Sequence, residues 1–448
     1  MEGKGERDSW SGQLGFILAA SASAVGLGNL WRFPSCAAKY GGGIYILFYI
    51  IIAATLGVAL INTEISIGRL TRLSPSRAFR QMSRHWSWIG ILGMIIPAII
   101  LPYYCVVGGW VTKYCFDSFA AFFTETSSDF GALVAGFAEE GACTFVFAAA
   151  TMAFVFLGVR GGIEKSNKFM MPALLLLIMG VVVFVIFQDG MGEGLKYYLV
   201  PDVSRLCIDG EFSWTMLAKT IFAALSQVVF SLGLAMGIMI TYGSYVQKED
   251  SIPQAGKRIV FCDTFVALMA GIIVIPPALM FGGADMAMKA GPGLMFESLP
   301  KVFAAMPCAR LVALSFFLLV FFAALTSSIS IAETVTSSIC DWLRIKRTTG
   351  AIITSAILVL GAIPTVITID FLEWSDFSVN AILLPVVSFF TCIFIGWIVG
   401  PKTILDEMGE GVPFGSRFYS FTMRWAAPVL ISVVFVTTLL SGLKVISL

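Results

Sequence analysis

Charge is scarce in this chain. Only 13% of its 448 residues are Asp, Glu, Lys or Arg, whereas a soluble domain carries about 25%. So little charge cannot cover a globular protein of this size with solvated groups, which excludes a soluble enzyme and a disordered scaffold. Histidine is nearly missing. His85 stands alone beside a run of arginines, so a histidine-based metal centre is excluded. The nine cysteines form no Cys-x-x-Cys pair and lie mostly in apolar runs, where they read as small buried hydrophobes rather than zinc or redox ligands. A net charge of +1 leaves no electrostatic footprint for nucleic acid.

Hydrophobicity takes the place of charge, at 58% of residues. One helical crossing of a bilayer needs about 20 apolar residues. Segments of spanning length fall near 12–36, 43–68, 89–123, 142–159, 167–188, 215–245, 258–282, 309–340, 350–369, 377–400 and 423–443. These predict an all-α integral membrane protein with eleven transmembrane helices, and the dyad alternation of a barrel is missing. The first segment is too long for a signal peptide and contains Trp31-Arg32. Several segments exceed a bilayer's thickness and should tilt or project beyond it.

Basic residues in the short loops set the orientation. Arg69, Arg72, Arg77, Arg80 and Arg84 follow the second span. On the same side come Arg160, Lys165, Lys168, Lys248, Lys257, Arg258, Arg344, Lys346 and Arg347, while Glu125, Asp129, Glu139, Glu140, Asp370 and Glu373 mark the other. The pattern predicts a multi-pass protein of the cell membrane with its N-terminus cytoplasmic and, after eleven spans, its C-terminus extracellular.

Two spans are interrupted at mid-depth. The first carries Ser21-Ala22-Ser23-Ala24-Val25-Gly26-Leu27-Gly28-Asn29, and the sixth carries Ser226-Gln227 and then Phe230-Ser231-Leu232-Gly233-Leu234-Ala235-Met236-Gly237. Either stretch alone could be close packing of small residues between helices. Together they open two successive sets of five spans. Paired interruptions at equivalent places mark an inverted-repeat secondary transporter with its site near the midplane. Unwound backbone there offers carbonyls to a cation and helix N-termini to an anion.

The stretch Ala24-Val25-Gly26-Leu27-Gly28-Asn29-Leu30-Trp31-Arg32-Phe33-Pro34 resembles the signature of the neurotransmitter:sodium symporter family. Gly41-Gly42-Gly43, Glu64 with Gly68-Arg69, Tyr103-Tyr104, the sixth-span break and Leu325-Thr326-Ser327-Ser328 continue the likeness in order over nearly the whole chain. The resemblance implies a LeuT-type fold, a five-plus-five inverted repeat with helices 1 and 6 broken. It would form one transporter domain over 1–448, with a first repeat at 12–188, a second at 215–400 and helix 11 at 423–443. The activity it implies is sodium-coupled symport of an amino acid by alternating access.

The same resemblance implies two sodium sites, and sodium favours hard oxygen ligands. Ala24, Asn29, Ser231 and Asp263 would form the first site. Ala22, Val25, Ala323, Thr326 and Ser327 would form the second, although the two hydroxyls could instead bond back to their own helix. A carboxylate inside a span is costly and is read as functional. Asp263, with Tyr49, Gln227 and Ser231 around it, would supply a fixed negative charge and make chloride dispensable. The alternative puts Asp263 at the end of its span, paired with Lys257 or Arg258.

Substrate contacts implied by the resemblance are Ser23, Ala24, Gly26, Leu27, Gly28, Ile100, Tyr104, Phe230, Ser231, Gly233, Met236, Ser328 and Ile331. Gly26 leaves room for a substrate carboxylate, where monoamine members carry an aspartate. The remaining wall is mainly apolar, which favours a neutral hydrophobic or aromatic side chain. Ser23, Gly233 and Ala235 depart from the family pattern and bear on the exact substrate. Arg32 with Asp376 would gate the outer side, and Arg7 with Asp341 the inner side near Trp10, Ser244 and Tyr245, unless these are ordinary surface pairs. Glu64 would hold the amides of the broken segments. Gly162 and Pro172 allow the cytoplasmic end of span five to unwind, or mark a loop followed by a proline-started helix. The implied partners are an amino acid, sodium ions and the bilayer. No nucleophile–base pair or metal set supports an intramembrane enzyme. A membrane sensor that binds the same ligand without transporting it is the second reading.

Overall fold

A chain in lipid has no water to satisfy its amides, so an apolar sequence of this kind must close its hydrogen bonds within helices. The computed structural model describes residues 8–124, 129–208, 210–289 and 291–442. Among these are ten helices long and apolar enough to cross a membrane, and one bent pair, Gln13–Ala24 with Gly28–Lys39, that meets the test jointly. Counted as one span, the pair brings the total to eleven. The others are Gly43–Thr71, Arg84–Ala120, Phe137–Phe156, Val159–Ile186, Trp214–Ser231, Ile252–Gly283, Ala309–Leu343, Arg347–Ile367, Ile369–Val399 and Gly415–Leu440.

Burial separates the spans into layers. The third, seventh and eighth have two thirds of their apolar windows buried, whereas the eleventh has 28%. The third packs along the eighth and also touches the fourth and ninth spans and the short helix Pro75–Met82 that precedes it, while the seventh packs on both halves of the first. Between the fifth and sixth spans lie a helix, Gly192–Leu199, and a short hairpin pairing Cys207–Ile208 with Glu211–Phe212.

Several boundaries differ from the expected ones, and spans five, ten and eleven each begin eight residues earlier, at Val159, Ile369 and Gly415. Span four begins at Phe137, which takes Glu140 into the helix, where its carboxylate accepts from Trp110 Nε1 at 2.6 Å. Span five begins at Val159 and runs helically past Pro172 to Ile186, with one wide turn at Val159–Glu164. The segment between Gly162 and Pro172 is therefore neither unwound nor a loop. Gly162 is small because the carbonyl of Phe154 abuts it, leaving no room for a Cβ.

The first span bends by 51° between its halves. Its inner helix stops at Ala24 because Val25 turns to extended backbone, with φ −70° and ψ 108°. In the sixth span the helix Trp214–Ser231 ends and a second short one, Ile238–Gly243, starts. Between them Gly233, Ala235 and Gly237 all take positive φ, at 61°, 65° and 72°. Ala235 is the only one of the three with a Cβ, so it holds the left-handed conformation at a cost.

Candidate functional site

The two breaks face each other. Each ends a helix early, and the last carbonyls of the half before the break and the first amides of the half after it lose their helical partners. Glu64, 5% exposed, answers part of that need by accepting from the Ala235 amide at 2.7 Å. Gln227 reaches back from the sixth span to donate to the Gly28 carbonyl at 3.1 Å.

Beside the breaks lies a buried carboxylate. Asp263 is fully buried and accepts from Asn29 Nδ2 at 2.7 Å, Ser231 Oγ at 2.9 Å and the Tyr49 hydroxyl at 3.2 Å. No cation stands within ion-pair distance of it among the described residues, so the alternative pairing with Lys257 or Arg258 is not formed. Asn29 turns its amide oxygen toward the Gly26 amide, at 3.0 Å. The cluster thus brings Asn29, Ser231 and Asp263 together, with Asn29 tied to the break that follows Ala24 through the Gly26 amide.

A second set of oxygens joins the first and eighth spans. The Ser327 hydroxyl donates toward the carbonyls of Ser23 at 3.2 Å and Val25 at 3.1 Å. Thr326 bonds back to Phe322 and Ala323 of its own helix, at 3.0 and 3.1 Å. The two hydroxyls therefore behave differently: one bridges the spans and the other does not. Ala22 is fully buried in the turn that precedes the break.

Between these clusters opens a cavity of about 360 Å³. Ser23, Ala24, Gly26, Leu27, Gly28, Ile100, Tyr104, Phe230, Ser231, Gly233, Met236 and Ile331 all line it. Ser328 does not. Its hydroxyl points the other way, to the Leu325 carbonyl and to Thr151 Oγ at 2.8 Å. A Cβ on Gly26 would stand 2.9 Å from Ser327 Oγ and 3.3 Å from the Tyr104 hydroxyl. That hydroxyl is buried and has no hydrogen-bond partner among the described residues. At Gly28 a Cβ would come 2.5 Å from the Phe230 ring.

Sequence reasoning missed Trp31, Tyr103, Val107, Ile238, Gly291, Pro292, Leu372 and Asn380, which also line the cavity. Val107 lies one helical turn from Tyr104, a spacing that could have found it. Asn380 likewise lies one helical turn from Asp376, and Trp31 and Tyr103 adjoin Arg32 and Tyr104, whereas Gly291, Pro292 and Leu372 depend on how distant segments meet.

Arg32 and Asp376 both face this space without forming an ion pair. Arg32 donates to Ser226 Oγ at 2.9 Å and lies over the Phe230 ring at 4.7 Å. Asp376 accepts from Asn380 at 2.7 Å and Tyr103 at 3.3 Å. At the opposite end, Arg7 lies outside the described residues, and Asp341 accepts from the Ser74 amide at 2.7 Å. Trp10 is fully buried there and donates to the carbonyls of Tyr242 and Tyr245. Next to it is a pair the sequence did not single out: Arg347 binds both oxygens of the fully buried Glu333, at 2.6 and 2.8 Å, and Tyr245 donates to the same carboxylate at 2.8 Å.

The pattern of the Sodium:neurotransmitter symporter family matches residues 7–129 and 122–445. The chain belongs to that family. An uncharacterized sodium-dependent transporter of Bacillus subtilis, YhdH, is 30% identical over 95% of this chain and 96% of its own. The sodium- and chloride-dependent taurine transporter of Rattus norvegicus is 26% identical, over 91% of this chain and 74% of its own. The crystal structure of MhsT in complex with L-phenylalanine superposes with a TM-score of 0.84 at 30% identity, covering 96% of this chain and all of that one. This symporter therefore has the LeuT-type fold and is a sodium-dependent membrane transporter, not an enzyme.

Proposed function

We propose that this symporter couples sodium to the uptake of a neutral amino acid with a hydrophobic or aromatic side chain. The observation that carries this reading is the two-ended cavity. One end holds the unpartnered Tyr104 hydroxyl, the close-packed Gly26 and the freed amides around Leu27 and Gly28, which suit a carboxylate. Ile100, Val107, Met236, Ile238 and Ile331 form an apolar stretch of the remaining wall that suits an uncharged substrate side chain, with the charged Arg32 and Asp376 also lining the cavity. MhsT, similar over its full length, binds L-phenylalanine in its crystal structure.

In this reading the first sodium sits among Ala24, Asn29, Ser231 and Asp263 and touches the substrate carboxylate. Asn29 rotates its amide so that oxygen rather than nitrogen meets the ion. The second sodium sits among Ala22, Val25, Ala323, Thr326 and Ser327, where Ser327 already spans the two helices. Thr326 joins by turning away from its own helix. Asp263 supplies the negative charge, and chloride is not required. Arg32 and Asp376 close over the loaded cavity, and the N-terminus lies in the cytoplasm with Arg7 and Asp341 at the inner mouth.

The test is uptake of radiolabelled phenylalanine into proteoliposomes under an inward sodium gradient, with counterflow as a second readout. Accumulation that needs sodium, and exchange of labelled for unlabelled substrate, are expected. Binding without counterflow would overturn transport in favour of a sensor. Uptake of a charged or small polar amino acid in preference to phenylalanine would overturn the substrate class.

A further inference from the structure

Away from the central cavity, three arginines converge on one surface hollow. Arg77 and Arg80 project from the short helix Pro75–Met82, whose other face, with Ala78 and Phe79, is buried. Their spacing of three places them on one side of that helix. Arg344 comes from the end of the eighth span, where it takes a left-handed conformation, φ 58°, and stops the helix. With Leu73, Gln81 and Trp342 they line a cavity of about 350 Å³.

The charges there are not neutralised from within. Arg80 and Arg344 make no ion pair or hydrogen bond among the described residues, and Arg77 reaches only the Asp341 carbonyl, at 3.4 Å. The Asp341 carboxylate is turned to the Ser74 amide instead. Three guanidinium groups around one hollow repel each other unless an anion joins them, and arginine's fork matches phosphate oxygens.

The remaining wall says where that anion comes from. Trp342 in that wall, and its neighbour Leu343 outside it, are each 52% exposed at the end of a membrane-spanning helix. Tryptophan at that height sits at the headgroup level, and basic residues just beyond a span attract anionic lipid. A soluble phosphate compound has no use for an exposed apolar rim. A lipid uses both parts: the phosphate enters the arginine hollow and the chains run down past Trp342 and Leu343.

We propose that this hollow binds the headgroup of an anionic phospholipid and so pins the Pro75–Met82 helix to the end of the eighth span. The leaflet concerned is the cytoplasmic one, which rests on the orientation proposed above; the site itself does not depend on the transported substrate.

Native mass spectrometry of the purified full chain, titrated with phosphatidylglycerol or phosphatidylcholine, tests it. Wild-type protein should retain phosphatidylglycerol in preference to phosphatidylcholine. The double variant Arg80→Gln with Arg344→Gln should bind phosphatidylglycerol roughly tenfold or more weakly, since each basic residue near the surface adds to the attraction. Its phosphatidylcholine binding should be unchanged. Arg77→Gln alone, with the other two charges kept, should show a smaller loss in the same direction. Thermal unfolding in neutral detergent, equal for variants and wild type, separates loss of the site from loss of the fold. Equal phosphatidylglycerol binding by the double variant would overturn the proposal. Displacement of the lipid by millimolar inorganic phosphate or glycerol phosphate would assign the hollow to a soluble phosphate and overturn the lipid. Because no uptake is measured, failure here leaves the transport reading untouched, and the reverse holds too.

Discussion

Replacing Asp263 by serine removes the only charge from a cluster of donors. Tyr49, Asn29 and Ser231 converge on this carboxylate at 3.2, 2.7 and 2.9 Å, and all four residues are buried. Serine is too short to meet all three. Each buried donor left without an acceptor costs about 1–3 kcal/mol, so two to three of them sum to roughly 2–9 kcal/mol if nothing else enters. The loss is larger in the loaded state, where two sodium ions and one substrate carboxylate would leave a positive charge uncompensated in a poorly solvated place. A loss of about 3 kcal/mol already means a rate reduction of roughly a hundredfold. Chloride accepts from the same three donors and restores the charge. Sodium-driven phenylalanine uptake into proteoliposomes, with chloride or gluconate as the anion, reads all of this. Wild type should transport equally in both anions. Asp263→Ser should lose most of its uptake in gluconate and regain part of it in chloride. Normal uptake by Asp263→Ser in gluconate, or chloride dependence of the wild type, would refute the argument.

Three shorter expectations follow from other contacts. Thr326→Ala combined with Ser327→Ala should abolish sodium-driven uptake while the protein still folds, and Ser327→Ala alone should do more harm than Thr326→Ala, because only Ser327 spans the helices; equal single effects in the uptake assay would count against it. Ala235→Gly should raise stability by about 1 kcal/mol, since a residue at φ 65° with a Cβ is strained and glycine is not, and a lowered melting temperature in ligand-free detergent would contradict that. Gly26→Ala should weaken phenylalanine binding about tenfold or more through the contacts at 2.9 and 3.3 Å with Ser327 and Tyr104, as equilibrium binding in sodium would show.

Composition and periodicity by themselves determined the class of this protein. Eleven apolar stretches could only be helices in lipid, because hydrocarbon admits only helices and closed barrels and the stretches lack a barrel strand's alternation. The two interruptions were visible as glycines and hydroxyls where leucine and valine were expected, and the motif around Asn29 carried the family. Gly26, Tyr104 and Phe230 followed from the motifs; the cavity is lined by all three. Local sequence could not supply the direction in which a side chain points once helices pack. Ser327 and Ser328 are neighbours of one chemical type, yet a helix turns about 100° between them, and only packing sends one hydroxyl to the first span and the other to Thr151. Asp263 reads in the sequence as a functional buried charge, with a surface pair as the alternative, and Tyr49, Asn29 and Ser231, from three other spans, surround it in the bundle. Arg347 and Glu333, with Tyr245 between the spans, were ordinary charges in the sequence and became a pair around a buried carboxylate only in the bundle. Tertiary structure decided these points because each depends on contacts between residues far apart in the chain, which no local periodicity encodes.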